Sequence, residues 1–421
     1  MRSVPERILV LYSWPGLWSM GPGKGSPDFY LSLKSLVGRF AQVVVVHPAG
    51  PDALAGAPEP IESVGFNWPG AGKLLGVPVR LREGRYRRLK TVLRAGLFAI
   101  NWVIRLVSYC LFAIAAYRAG RRVAAELDPS VIAAYGYMAV PAGRLLARKF
   151  KRPLVIRLFG VSLGMKGFSI PARFAQFEET LSFSLKAERW VITNDGSGGD
   201  EAARRLGVPE SKVVYLLNGV DRRARPAAFD REDYRRRLGL SPDTRVILRA
   251  ARLWRQQRID RMIRFMPRDL PDGTPVVAVV AGEGSEQKYL EKLAARLGKN
   301  VVFVGALDHE QLIEHYRCAD LYLATSDRTN LSNSVLEALC NGLPVVALST
   351  GQTASLIEDG VNGRLLPLAQ QERLTGVIEN LLADEQLRRN LSQGALRTAE
   401  EKIPDFNQRI AGEARAFSLA G

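Results

Sequence analysis

The chain is poor in cysteine and histidine, and it has too few acids to balance its bases. Cys110, Cys318 and Cys340 are too few and too scattered for a disulfide framework or a zinc site. They read as small buried residues in a reducing compartment. His47, His309 and His315 occupy ordinary strand-end or helix positions, and no Asp-x-Asp pair occurs. No metal-ligand spacing is therefore present. A secretory leader is not expected: Arg7–Tyr12 is too short for an apolar leader region and reads as a first strand. Hydrophobic residues make up 47% of the 421 positions. That supports sizeable cores and excludes a disordered chain.

The shortage of acids is local. Residues 1–210 carry 29 Lys and Arg against 15 Asp and Glu, whereas residues 211–421 carry 30 against 27. Almost all of the net charge of +17 thus lies in the first half. Such asymmetry suits an anionic partner: nucleic acid, an anionic membrane or a phosphorylated substrate. A merely solubilising surface is the alternative. No nucleic-acid-binding motif accompanies the charge.

Short β-branched runs alternate with helical patterns. Strands are expected at 7–12, 42–47, 131–135, 154–158, 190–193, 213–216, 246–250, 275–281, 301–304, 321–324 and 344–348. Several are continuously apolar, such as Pro275–Ala281, as in parallel strands covered on both faces. This many βα units exceeds one comfortable sheet, so two doubly wound Rossmann-like domains facing across a cleft are expected. Their expected spans are 1–195, joined by a C-terminal helix at 405–421, and 196–404. Ligands of such folds bind outside the carboxyl ends of the strands.

One segment there carries chemistry. After strand 321–324 comes the polar loop Thr325–Asn333, then Ser334-Val-Leu-Glu-Ala-Leu-Cys340 and the turn Asn341-Gly-Leu-Pro344. Ser332 or Asn333 suits an N-cap. Backbone N–H groups at Ser334 and Val335 would then form an anion site fit for a diphosphate. Glu337, one turn in, could accept two ribose hydroxyls, although a lone glutamate in a good helix-former context is more often a surface residue.

At this point the sequence resembles the GT-B glycosyltransferases, in particular the retaining family 4 (glycosyl transferases group 1). Leu336-Glu-Ala338 and Gly342-Leu-Pro-Val-Val346 match the end of the family signature. Further landmarks follow the family order: Asn218-Gly-Val-Asp221, Ala250-Ala-Arg-Leu253 with Ile259-Asp260, Gly282-Glu-Gly284, Phe303-Val-Gly305, Ala319-Asp320 and Glu358–Gly363. The resemblance implies a diphosphate held by Arg252, with Gln257 and Arg258 beside it. It implies a base framed around Gly305 and Leu307, and a donor contacted by Asn333, Ser334, Val335 and Glu337. Thr329, Asp327 and Arg252 are the implied catalytic positions.

The sequence departs from the family at four places. Gln257 replaces a lysine, Arg258 a glycine, Thr329 the first signature glutamate, and Phe159 a histidine. Arg255 or Arg258 could supply the charge missing at Gln257. The acceptor side is expected at the glycine-rich loop Gly23, Lys24 and Gly25 and at Tyr135, Arg157 and Phe159. A retaining front-face mechanism needs no protein base, because the donor phosphate can take the acceptor proton. The implied reaction is metal-independent transfer from a UDP- or GDP-sugar to a saccharide or lipid-linked saccharide in bacterial surface-polysaccharide assembly. No cofactor beyond the nucleotide-sugar co-substrate is implied. An inactive nucleotide-sugar-binding subunit of a synthesis complex is the alternative.

Last, Arg80, Arg82, Arg85, Arg87, Arg88, Lys90 and Arg94 precede a long apolar stretch, 95–117. Arg94, Asn101, Arg105 and Ser108 form one narrow polar stripe along it. A helix buried under the first sheet, an interfacial helix on anionic lipid and a membrane span all fit this pattern. Arg105 near the middle and strands on both sides count against the span. A peripheral location on the cytoplasmic face of the membrane is expected.

Overall fold

The computed structural model describes residues 6–13, 27–48, 61–66, 87–163, 167–221, 230–237, 239–328 and 331–417. It contains two compact units. One comprises Met1–Thr193, Gly199–Leu216 and Ile410–Gly421; the other comprises Asn194–Gly198 and Leu217–Arg409.

The first unit is built on a seven-stranded sheet of β1 (Arg7–Tyr12), β2 (Gln42–His47), β3 (Ile61–Gly65), β4 (Val131–Tyr135), β5 (Leu154–Leu158), β6 (Arg189–Asn194) and β7 (Val213–Leu217). The strand order is β3-β2-β1-β4-β5-β6-β7. β1 lies between β2 and β4, parallel to both, with Leu9 opposite Val44 and Ile132. Residues 199–216 return to this unit through β7, beyond the boundary expected at 195/196.

The second unit holds β8 (Arg245–Ala250), β9 (Val276–Ala281), β10 (Val301–Gly305), β11 (Leu321–Ala324), β12 (Val345–Ser349) and β13 (Gly363–Pro367) in the order β10-β9-β8-β11-β12-β13. Every pairing in this sheet is parallel. Both sheets are doubly wound, with helices following the strands.

The apolar runs are continuous because each strand feeds two cores. In β1, Leu9 and Leu11 enter one core while Ile8, Val10 and Tyr12 enter the other. In β8, Val246, Leu248 and Ala250 face one core and Ile247 the other. Period-two alternation sends successive side chains to opposite faces, and helices cover both.

The eleven expected strands all form. Two edge strands, β3 and β13, were not expected. β3 reads Ile-Glu-Ser-Val-Gly and is half exposed, so it lacks the apolar run of a central strand. β13 is short and opens at Gly363, where a Cβ would stand 2.1 Å from the carbonyl oxygen of Val345.

Helix Arg87–Leu127 spans 41 residues, about 60 Å. The chain closes with helix Phe406–Phe417, whose residues from Ile410 onward belong to the first unit.

Candidate functional site

A cavity of about 610 Å³ opens in the second unit at the carboxyl ends of β8, β9 and β10. Two glycines shape it. At Gly282, with φ at +125°, a Cβ would lie 2.1 Å from the carbonyl oxygen of Ala251; at Gly284 one would lie 2.5 Å from that of Leu253. Only residues without a Cβ let these two loops close together. They do so by backbone bonds: Ala251 N–H donates to Ala281 O at 3.0 Å and Leu253 N–H to Glu283 O at 2.9 Å. This clamp fixes the turn that carries Arg252.

Arg252 lines the cavity, stands exposed, and places its guanidinium 5.1 Å from the centre of the Trp254 ring. Among the described residues no carboxylate pairs with it. A guanidinium braced on an aromatic face and left without a protein anion is well made to meet a ligand's phosphates. Leu307 and Ser334 line the same cavity. Gly305, at φ +72°, accepts from Gly282 N–H at 2.6 Å and so stands behind the wall formed by Ala306 and Leu307.

Helix Asn333–Cys340 starts at this cavity with Ser332 at the N-cap. Asn218 Nδ2 donates to Asn333 Oδ1 at 2.7 Å and ties the loop Asn218–Asp221 to the first turn. Ser334 reaches the cavity, but Val335 does not. Val335 is fully buried, and its N–H donates to Ser332 O at 2.9 Å. The expectation of an open N–H at Val335 is therefore corrected: the N-cap carbonyl already takes it.

Glu337 lies one turn on, beside a separate small cavity shared with Asp221 and His309. Tyr316 O–H donates to its Oε2 at 2.9 Å. Burial, then the charge of Glu337, holds the Tyr316 phenol far above its ordinary pKa, so it stays a donor; the Ser334 hydroxyl also bonds to it. Ser334, Tyr316 and Glu337 thus form a short relay from the larger cavity to the carboxylate.

The departures from the family pattern have structural counterparts. Gln257 does not face the cavity as a free amide; its Oε1 accepts from Arg249 Nη2 at 2.7 Å. Arg258 occupies the left-handed region at φ +49°. Such a residue without glycine's freedom is strained by roughly 1–2 kcal/mol. Its guanidinium is held by Asp260 (2.9 Å) and Asp327 (2.8 Å), so it has no free charge to lend to a phosphate. Asp327 also meets Arg261 at 2.8 Å. Burial alone would raise the Asp327 carboxyl, but the two guanidiniums outweigh it and hold the group below its usual range. It is an ionised strut between two arginines. Thr329 lies outside the described residues.

In the first unit the expected acceptor residues separate. Gly23, Lys24 and Gly25 lie outside the described residues. Arg157 is fully buried and ion-paired to Glu413 at 2.6 Å, with its guanidinium 4.1 Å from the Phe159 ring. Tyr135 is 1% exposed and packs near Phe159 and Phe417. The expectation that Arg157 and Tyr135 meet an acceptor is corrected: their strand positions point them into the core beneath helix Phe406–Phe417. Only Phe159 is partly exposed.

Four site residues escaped the sequence reading. Trp254 follows Arg252 by two positions and Glu283 lies inside the Gly-Glu-Gly turn, so both carried a positional signal. Tyr316 and Arg249 read as interior residues of a helix and a strand, and no pattern set them apart. Among the described residues no three His, Cys, Asp or Glu side chains gather at metal-binding range.

Two parallel doubly wound units, with an arginine-bearing cavity at the strand ends of the second, define the architecture of GT-B glycosyltransferases. A protein-family model described as glycosyl transferases group 1 matches residues 230–398. A D-inositol 3-phosphate glycosyltransferase of Catenulispora acidiphila is 30% identical over 292 residues, 65% of this chain and 68% of that protein. An uncharacterized glycosyltransferase of Methanocaldococcus jannaschii is 28% identical over 283 residues, 65% of this chain and 71% of that protein. The structure of Anabaena HepE with UDP-glucose superposes with a TM-score of 0.68 at 19% identity, covering 97% of this chain and 98% of that one. The chain belongs to the glycosyl transferases group 1 family.

Proposed function

We propose that this glycosyltransferase binds a UDP- or GDP-sugar in the second unit and transfers the sugar, with retention and without a metal ion, to a saccharide or lipid-linked saccharide. Bacterial surface-polysaccharide assembly at the cytoplasmic membrane face is the setting that fits this reading. The observation that carries it is Arg252. It is a guanidinium with no carboxylate partner among the described residues, lining a cavity closed by the Gly282–Gly284 turn and the start of helix Asn333–Cys340. Arg252 supplies charge to a diphosphate and stabilises the departing nucleotide. Glu337, held ready by Tyr316, accepts from a ribose. HepE was solved with UDP-glucose, which supports a uridine donor here.

In the front-face reading the sugar–phosphate bond breaks as the acceptor oxygen bonds the same carbon. The leaving phosphate oxygen takes the acceptor proton, so no protein base is required. The inactive-subunit alternative draws on Gln257 and Thr329; it is not favoured, because Gln257 has a structural role of its own as partner of Arg249.

A thermal-shift screen of nucleotides and nucleotide sugars, followed by nucleotide-release assays with acceptor extract, tests the proposal. Stabilisation by one NDP and release from its sugar support it. Binding with no release across a broad donor panel supports the inactive subunit instead.

A further inference from the structure

The long helix of the first unit is amphipathic in the wrong sense for a soluble protein. Two residues of its polar stripe, Arg105 and Ser108, face inward. Arg105 Nε donates to Glu178 at 3.0 Å and its Nη1 to Ala175 O at 3.0 Å, while Ser108 is buried. The neighbouring Trp102 ring stacks on Phe174 at 4.3 Å. The outward face is apolar: Ile100 (59% exposed), Val103 (52%), Val107 (50%), Leu111 (53%) and Ile114 (48%). Their spacing of three and four residues puts them on one stripe about 21 Å long.

The stripe ends in charge. Arg118, Arg121 and Arg122 are exposed, and with Ile114, Tyr117 and Leu145 they line a groove of about 430 Å³. No acidic residue occurs between Glu83 and Glu126, against nine arginines and lysines.

By length and composition the segment Phe98–Leu127, whose most apolar 18-residue stretch has mean hydropathy 1.8, could cross a membrane. Its opposite face forbids that. Phe112, Ala116 and Ala124 are buried in the core of the first sheet. A Cβ at Gly120 would stand 2.7 Å from Leu146 and 2.9 Å from Leu11. A helix so closely seated on strands and a neighbouring helix cannot leave them to span a bilayer.

We propose that this face docks on an anionic lipid bilayer. The helix lies in the interface, the Ile100–Ile114 stripe enters the headgroup–acyl boundary, and the groove at Arg118, Arg121 and Arg122 takes lipid phosphate. An exposed apolar strip of this size marks an interaction surface. The absence of acids from the chain between Glu83 and Glu126, with arginines at the end of the stripe, selects a negatively charged apolar layer over an ordinary protein partner. The docking stands on the first unit alone and does not depend on the donor reading.

The test is flotation of the full chain with vesicles of phosphatidylcholine alone and with phosphatidylglycerol added. Recovery is expected with the anionic vesicles only, and it should fall as salt is raised. The triple variant Val103→Ser/Val107→Ser/Leu111→Ser should lose recovery. The triple variant Arg118→Gln/Arg121→Gln/Arg122→Gln should lower partitioning by about tenfold or more. Both sets of side chains are exposed, and an unchanged thermal melt confirms that each variant folds. Equal recovery with neutral and anionic vesicles, or none with either, overturns the proposal. So does a parent that sediments as a dimer, fails to float and becomes monomeric in the serine variant, because a second copy then covers the face.

Discussion

Arg249 on β8 is 2% exposed, and its Nη2 donates to the side-chain oxygen of Gln257 at 2.7 Å. Its other Nη lies 3.4 Å from the hydroxyl of Tyr322, and among the described residues no carboxylate pairs with it. Gln257 stands where the resemblance implies a lysine, so the amide and the buried guanidinium are one substitution seen from two sides. An ammonium at that place would face Arg249 as a like charge. Gln257→Lys is therefore expected to destabilise the protein by about 1–3 kcal/mol, and Arg249→Met in the same chain to recover most of it. Urea unfolding of the two single variants and the double variant reads this coupling. Full stability in Gln257→Lys alone would remove it.

Arg252 is the test of the diphosphate. Charge-assisted bonds from a guanidinium to phosphate contribute about 1.5–3 kcal/mol, a factor of roughly 10–100 in Kd. Arg252→Ala is expected to weaken a nucleoside diphosphate by that factor and to leave the nucleoside almost unchanged, as read by calorimetry with both ligands. Equal weakening of the two ligands removes Arg252 from the phosphates.

Glu337 answers for the ribose. Glu337→Ala is expected to abolish thermal stabilisation by nucleotide. Tyr316→Phe, which removes the 2.9 Å bond that orients the carboxylate together with the Ser334 contact, should reduce the stabilisation without eliminating it. The graded pair separates a ribose contact from a general loss of folding. A full nucleotide shift in Glu337→Ala would refute the role.

These tests fall where the sequence was most and least legible. The central strands could be read because strands buried on both faces are apolar without interruption, as in β9. Two of the four edge strands, β3 and β13, could not, since a half-exposed strand such as β3 carries no such run. Motif order picked out Arg252 and Ser334, which line one cavity, and Glu337, which lines another, because each lies on a turn or helix start fixed by local chain geometry. It failed for Arg157 and Tyr135, whose burial depends on a helix more than 240 positions away in sequence. It could not see Arg249, since a strand arginine announces nothing until its neighbour is placed. Polarity pattern did find the stripe of Arg105 and Ser108, but not that it faces inward.

His315 sets a pH dependence. Its ring is buried, and burial lowers its pKa. Nδ1 lies 2.8 Å from Gln311 O and 2.9 Å from Tyr234 O–H, while Nε2 has no partner among the described residues. The native ring is thus neutral, whereas the unfolded chain takes up a proton near pH 6.5. Below that value the unfolded state binds more protons, so stability falls as pH drops toward the native pKa. The slope is at most about 1.4 kcal/mol per pH unit from this group. Urea melts from about pH 7 to about pH 5 should show a smaller slope in His315→Gln. An identical slope in parent and variant would assign the dependence to other groups.

Arg157 and Glu413 make the sharpest stability test. Both side chains are buried, at 0% and 1% exposure, and Glu413 also takes the Ser32 hydroxyl. Breaking a buried pair from one side strands a charge and costs about 3–5 kcal/mol, while replacing both partners by apolar residues can be close to neutral. Arg157→Met and Glu413→Leu are each expected to lower the stability of the first unit by that amount, and the double variant to regain most of it. The alternative is that Arg157 serves an acceptor. The loss in Arg157→Met would then appear in acceptor KM with little change in melting, and Glu413→Leu would not rescue it. Melting curves and acceptor kinetics on the same variants therefore decide whether the C-terminal helix is latched by this pair or whether the arginine works at the site.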